Sequence, residues 1–211
     1  MTEPGLRDRK KQQTRAALMD AALRLVEARG YDQVTVDDIS AAADVSPRTF
    51  FNYFATKDEA VIGSDPAAND GMRERILAAD PEMPVIGAIL QAMWPALAAM
   101  ETEREIWFRR MRVMKQNPSL VVALMTRSER MESELAQTIA QRAGTAPDSG
   151  FPLLAAMCSG AAFRSALIRW AADREGGRSL SHYVNGAFGM LAAGLPDPTS
   201  EDAHDVSHPT T

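Results

Sequence analysis

The sequence predicts an all-α protein of about nine to ten helices, a small N-terminal helical domain followed by a larger one. Three observations predict it. Apolar residues recur at helical spacing along most of the 211 residues, and no stretch alternates convincingly as a strand. Breaks fall at Asp80-Pro81, Asn117-Pro118, 144–152 and Gly176-Gly177, leaving helix-length segments between them. Ser or Thr stands ahead of three short segments, with a proline or an acid where a helix N-terminus favours one. The composition, 45% hydrophobic and 24% charged, suffices for a packed core.

Residues 8–29 lack Gly and Pro, and Leu18, Ala22, Leu25 and Val26 share one helical face; Gly30 suits the stop. Thr35 opens T-V-D-D, a capping-box-like start, and Ile39, Ala42 and Ala43 give a short second helix its apolar face. Ser46-Pro47 reads as N-cap and first residue of a third helix, running to about Phe54. T-K-D-E at 56–59 is a further capping box and starts a fourth. The stretch 63–71, GSDPAANDG, reads as a loop. Helical segments follow at about 71–79, 85–100, 102–116, 119–143, 152–174 and 180–194. The acidic, proline-containing end at 196–211 reads as a disordered tail. The expected domains are therefore 1–63, 64–195 and the tail.

Four of the chain's 13 aromatics fall within residues 50–54. At about 100° per residue, Phe54 lies about 40° from Phe50, while Arg48 and Asn52 lie about 160° and 200° away. Phe50 and Phe54 then root a helix too short to hold itself in water. Arg48, Thr49 and Asn52 form its front, and Phe51 and Tyr53 its shoulders. Two short helices across a tight turn, the second presenting Arg and Asn, match a helix-turn-helix. Arg reads guanine, Asn reads adenine, and an aromatic packs on the thymine methyl. Hydroxyls at Thr49 and Tyr53 lie where phosphates would pass, with Lys57 opening the next helix. A packed corner of an ordinary helical protein is the alternative.

Net charge is −5, yet residues 7–15 hold Arg7, Arg9, Lys10, Lys11 and Arg15 against Asp8. This basic arm would attract a polyanion from a distance. One cysteine, Cys158, excludes an internal disulfide and fits a reducing cytoplasm. The N-terminus has no apolar core of a signal peptide, and the charge-free run 83–100 is broken by Pro84, Gly87 and Pro95, so a buried helix is expected rather than a membrane span. No phosphate loop, dinucleotide fingerprint or H-E-x-x-H motif is present. The expectation is a non-enzyme without cofactor or metal.

The stretches AALRLVEARGYDQVTVDDIS and AAADVSPRTFFNYFATKDEAV, with the spacing Gly30–Thr35–Ile39–Val45–Ser46–Phe54–Lys57, resemble the N-terminal domain of TetR-family transcription regulators. The resemblance runs from about Arg9 to Ile62. It implies a homodimer that binds a palindromic operator, usually as a repressor, and that a small molecule releases. Carried over by position, Ser46, Arg48, Thr49, Phe51, Asn52 and Tyr53 would belong to the DNA-facing helix, with Thr35 and Lys57 on phosphates and Lys10 and Lys11 in the basic arm. Two positions depart from the common pattern. Asp44 stands where many members have Gly, and tolerates the left-handed conformation. Phe51 stands where many have Tyr, so it can pack on a base but not bond a phosphate.

In the larger domain, Met93, Trp94, Leu97, Met100, Trp107, Met111, Met114, Met125, Phe163 and Leu167 are candidate walls of an apolar pocket, since Met adapts to irregular ligands. An ordinary helical core is the alternative. The segments IWFRRMRVMKQNPSL and SLSHYVNGAFGMLAAGL are similar to the subgroup that includes mycofactocin-type regulators, which implies a fatty acid, acyl-CoA or related lipid as effector. A drug-like aromatic effector, or a helical protein-interaction domain with none, are the other readings. The last two helices are the dimer candidates, through Ala156, Gly160, Phe163, Leu167, Val184, Phe188 and Leu191, unless those stripes bury within one chain.

Overall fold

The computed structural model describes residues 5–63, 66–146, 148–173 and 177–197. Among them it forms ten α-helices and no strand. These are α1 (Leu6–Arg29), α2 (Val36–Ala42), α3 (Pro47–Phe51), α4 (Lys57–Ile62), α5 (Pro66–Ala78), α6 (Val85–Thr102), α7 (Arg104–Gln116), α8 (Pro118–Ala143), α9 (Gly150–Ala172) and α10 (Leu180–Ala192), with one 3-10 turn at Tyr31–Gln33. The expected tail from 198 onward lies outside the described residues.

The basic residues lie on the helix expected from residue 8: α1 begins at Leu6, and Lys10 and Lys11 project, exposed, from its first turns. Two local expectations change. The expected loop 63–71 is helical from Pro66 onward, a proline opening the helix as it did at Pro47. The regular part of α3 ends at Phe51; Asn52 keeps helical angles and the chain then turns, with Phe54 N–H still donating to Phe50 O at 3.0 Å.

The chain forms two compact units, and neither is a continuous stretch. One takes 1–71 and 102–131, the other 72–101 and 132–211. This differs from the expected division at 63, and the core of the first unit shows why. Leu18, Ala22 and Val26 of α1, Ile39 of α2, Phe50, Phe54 and Val61 are buried together with Val113 and Met114 of α7 and Leu120 of α8. The four N-terminal helices do not close their own core; α7 and the start of α8 complete it.

In the second unit, Arg142 of α8 donates to Ile76 O and Ala79 O at 3.0 Å through Nη1, and to Asp80 O and Met83 O at 2.5 and 3.0 Å through Nη2. One guanidinium thus gathers four carbonyls from the end of α5 and the turn that follows it. Glu101 accepts from Ser181 N–H and Oγ–H at 2.7 and 2.8 Å, tying the end of α6 to the start of α10. α9 and α10 lie along each other.

That helix pair corrects part of the dimer expectation. Ala156, Val184 and Phe188 are buried within the chain, so they join α9 to α10 and present nothing to a second molecule. Gly160, Phe163, Leu167 and Leu191 are half-buried. The apolar residues that α9 leaves open are others: Leu154 at 62% exposure and Ile168 at 71%, with Met157 between them.

Candidate nucleic-acid interface

α2 begins with a reciprocal cap. Thr35 Oγ1 accepts from Asp38 N–H at 3.1 Å, and Asp38 Oδ2 accepts from Thr35 N–H at 2.9 Å and from its hydroxyl at 2.6 Å. These bonds hold the Asp38 carboxyl below the usual carboxylate range. They also redirect the phosphate role expected of Thr35: its hydroxyl hydrogen goes to Asp38, and a carboxylate stands where a phosphate would be repelled. After α2 the chain reverses at Asp44, whose φ of 55° is left-handed, while Val45 N–H donates to Ser40 O at 3.0 Å. Asp fills the position that glycine suits best.

Ser46 caps α3, its Oγ accepting from Thr49 N–H at 3.1 Å and sharing a hydrogen bond with Thr49 Oγ1 at 2.9 Å. Phe50 and Phe54 are buried with ring centroids 5.6 Å apart, the two-residue root that the spacing predicted. Opposite them Arg48 and Asn52 are exposed, and Phe51 is 58% exposed although a hydrophobic residue would gain from burial. Tyr53 and Thr49 are half-buried. Arg15 of α1, counted in the basic arm, turns inward instead: Nη1 donates to Tyr53 O at 3.1 Å and the guanidinium lies 4.4 Å from the centroid of the Phe54 ring. It fixes the end of the reading helix.

α4 starts at Thr56, which accepts from Glu59 N–H at 3.3 Å. Glu59 reaches back one residue further than a capping box requires, accepting from Ala55 N–H at 2.9 Å. Lys57 donates to Tyr31 O and Val34 O at 2.9 and 3.0 Å and lies 4.0 Å from the Tyr31 ring centroid. An ammonium has three donors, and these two bonds use two of them. The Tyr31 hydroxyl donates to the Asp58 carboxylate; burial, then that bond, push its pKa far above the usual tyrosine value. Nothing in the local sequence marks Arg15 or Tyr31 for these tasks, since their partners are 38 and 27 residues away.

The pocket candidates divide between the two units. Trp107, Met111, Met114 and Met125 belong to the first, and Met93, Trp94, Leu97, Met100, Phe163 and Leu167 to the second. Leu97 and Met114 are buried in their cores; Trp94 and Met125 are exposed; the other six are half-buried. An open cleft of about 480 Å³ on the first unit is lined instead by Glu27, Arg104, Glu105, Phe108, Arg109 and Arg112.

Comparison with known proteins meets this geometry from both ends of the chain. Residues 18–61 match the family described as bacterial regulatory proteins, tetR family, and residues 83–196 match the MftR C-terminal domain. The chain belongs to the TetR family. It is a DNA-binding transcriptional regulator, not an enzyme, and the helix-turn-helix of α2 and α3 lies inside the matched N-terminal segment. It is 38% identical over 158 residues to the HTH-type transcriptional regulator TcmR of Streptomyces glaucescens, covering 70% of this chain and 68% of that one. It is 29% identical over 190 residues to a putative mycofactocin biosynthesis transcriptional regulator MftR of Mycobacterium tuberculosis, covering 89% and 93%. Among solved TetR-like structures, the SmeT–triclosan complex superposes with a TM-score of 0.58 at 16% identity over 88% of this chain and 98% of that one. FadR of Thermus thermophilus in complex with lauroyl-CoA gives 0.50 at 20% identity over 93% and 100%. These structural likenesses establish the fold.

Proposed function

We propose that this TetR-family protein is a cytoplasmic repressor that binds a palindromic operator as a homodimer and is released by an acyl effector, a fatty acid or acyl-CoA. The observation that carries the DNA-binding part is the Arg48–Phe51–Asn52 front, exposed on a helix rooted by Phe50 and Phe54 and held at its end by Arg15. Arg48 and Asn52 supply base-edge donors, Phe51 packs on a thymine methyl, and Ser46, Thr49 and Tyr53 edge the same helix. Lys57, Lys10 and Lys11 add sequence-independent attraction. Exposed apolar residues on α9 support the dimer, and a two-fold molecule reads two half-sites of a palindrome.

The acyl reading is supported by the MftR-type C-terminal match and by the lauroyl-CoA complex of a protein of the same fold. The triclosan complex of SmeT favours an aromatic drug-like effector as the second reading. In either case the ligand and the operator disfavour each other reciprocally.

The test begins by selecting an operator from random duplex DNA with the purified protein. Arg48→Ala should then lose about 1–3 kcal/mol on the selected site and relax preference at one base position. Lys57→Ala should weaken selected and random DNA alike and reduce the salt slope by about 1. Wild-type behaviour in both variants would remove α3 and α4 from the interface. Lauroyl-CoA and triclosan, titrated into the wild-type complex, separate the two effector readings.

A further inference from the structure

The open cleft of about 480 Å³ on the first unit is lined mostly by α7. Arg104, Glu105, Phe108, Arg109 and Arg112 recur at three- and four-residue spacing, so they form one face of that helix. Glu27, the remaining lining residue, comes from α1.

Glu27 reports what this face attracts. Its carboxylate meets Arg109, with Nε 3.1 and 3.2 Å from its two oxygens and Nη2 2.5 Å from one of them. That hydrogen bond holds the Glu27 carboxyl below the usual carboxylate range, and the charge of Arg112 acts in the same direction. The pair is not sealed: 28% of the Arg109 side chain and 26% of the Glu27 side chain stay exposed, so a second anion can reach it. Arg112 is exposed and closes no ion pair of its own among the described residues. A carboxylate from the protein itself therefore occupies an anion position beside two guanidiniums, one of them with donors to spare.

The rest of the lining says what accompanies the anion. The Phe108 ring stands edge-on to Trp107 with centroids 5.1 Å apart, and Arg104 Cζ lies 5.3 Å from the Phe108 centroid. Aromatic rings and guanidinium planes are the surfaces on which nucleobases stack. Arginine forks engage two phosphate oxygens at once. The cleft volume falls in the range of small-molecule sites, with room for a ring beside the phosphate.

We infer that the cleft between α1 and α7 is a binding site for a nucleoside phosphate, with the phosphate on Arg109 and Arg112 in competition with Glu27, and the base against Phe108 and Arg104. This chemistry has two sources, a free nucleotide and the nucleotide end of an acyl-CoA. The site stands on its own residues and does not depend on the acyl reading. An occupant that takes Arg109 from Glu27 unties α1 from α7, and α1 carries the Arg15 that holds the end of α3.

The experiment measures binding of ADP, adenosine, pyrophosphate and lauroyl-CoA by calorimetry. The proteins are full-length wild type, Arg112→Gln, Phe108→Leu, Glu27→Gln and Lys115→Gln, at a temperature where circular dichroism shows each one folded. ADP should bind the wild type about tenfold or more tighter than adenosine or pyrophosphate. Arg112→Gln should lose about tenfold on ADP and on pyrophosphate, and Phe108→Leu a similar factor on ADP alone. Glu27→Gln frees Arg109 and removes the competing charge, so it should bind ADP tighter than wild type, which an ion pair serving only the fold would not give. Lys115→Gln removes an exposed cation outside the cleft and should match wild type. Lauroyl-CoA separates the sources: weakened by Arg112→Gln and Phe108→Leu in step with ADP, it enters by its nucleotide end, whereas indifference to both leaves the free nucleotide as the ligand. The assignment is overturned if the wild type does not bind ADP, whatever lauroyl-CoA does, or if ADP affinity is unmoved in both cleft variants. Equal losses in Lys115→Gln and Arg112→Gln overturn it as well, since they mark diffuse attraction to a basic helix.

Discussion

Arg15 is in the first half of α1, yet it fixes the geometry of α3. Its hydrogen bond to Tyr53 O and its stacking on Phe54 join the longest N-terminal helix to the end of the shortest. Replacing it by alanine removes one charge-assisted hydrogen bond and one cation–π contact, an expected loss of about 1–3 kcal/mol in urea unfolding. Operator affinity should fall with it, while the base preference set by Arg48 stays the same, because Arg15 positions the reader without touching a base. A variant that changes which base is preferred would place Arg15 in the interface instead. At this scale the sequence was legible where the chemistry is local. Ser46, Thr35 and Thr56 cap the helices that their spacing announces, and Phe50 and Phe54 are buried as their four-residue separation requires. The long cations were not legible. An arginine or lysine carries its charge several ångströms from its backbone, so its partner is chosen by the tertiary fold. Arg15 and Lys57 both found backbone carbonyls that no local pattern reveals.

Two carboxylates hold elements in place and make the first unit sensitive to acid. Asp38 completes the cap of α2, and Glu27 of α1 receives Arg109 of α7. The Thr35 hydrogen bonds lower the Asp38 pKa, and the Arg109 hydrogen bond, against some desolvation, lowers that of Glu27. A carboxyl whose folded pKa is depressed stabilises the fold above its unfolded pKa, about 3.9 for Asp and 4.3 for Glu, and loses that contribution as pH falls through the folded value. Glu27→Gln with Asp38→Asn should therefore melt below wild type at pH 7. The gap should narrow as pH drops from about 5 toward 3. Melting curves taken across that range check it, and a gap that stays constant would show that neither carboxylate gains from ionisation. Element boundaries show what periodicity reads and what it misses. Most helices lie within a few residues of the expected spans. The stretch 63–71 looked like a loop because Gly, Asp, Asn and Pro dominate it, but Pro66 at a helix start is favourable and the chain is helical from there.

At the scale of the molecule, a stripe of apolar residues says that a helix face is covered without saying by what. Val184 and Phe188 were expected against a second chain and are covered by the first. The faces that α9 leaves open are the better place to seek the partner. Leu154, Met157 and Ile168 fall on one side of α9, opposite the buried Ala155, Ser159, Ala166 and Trp170. On α10 the exposed Gly186 and Gly189 have no atom within 4 Å of where a Cβ would stand, so another helix could approach closely. An apolar open face on α9 and glycines without neighbours on α10 are features of the kind that a four-helix dimer interface buries. Leu154→Glu with Ile168→Glu changes only exposed positions, so each chain should remain folded, with a helical spectrum and melting cooperativity close to wild type. If the proposed dimer forms through this face, sedimentation should show a dimer for the wild type and a monomer for the double variant at the same concentration. A monomer engages one half-site, so affinity for the full palindrome should fall to that for an isolated half-site, while the half-site affinity itself is unchanged. A double variant that sediments as a dimer would move the interface off α9. One that is monomeric yet binds the full operator as tightly as wild type would show that the two DNA-reading helices gain nothing from being joined.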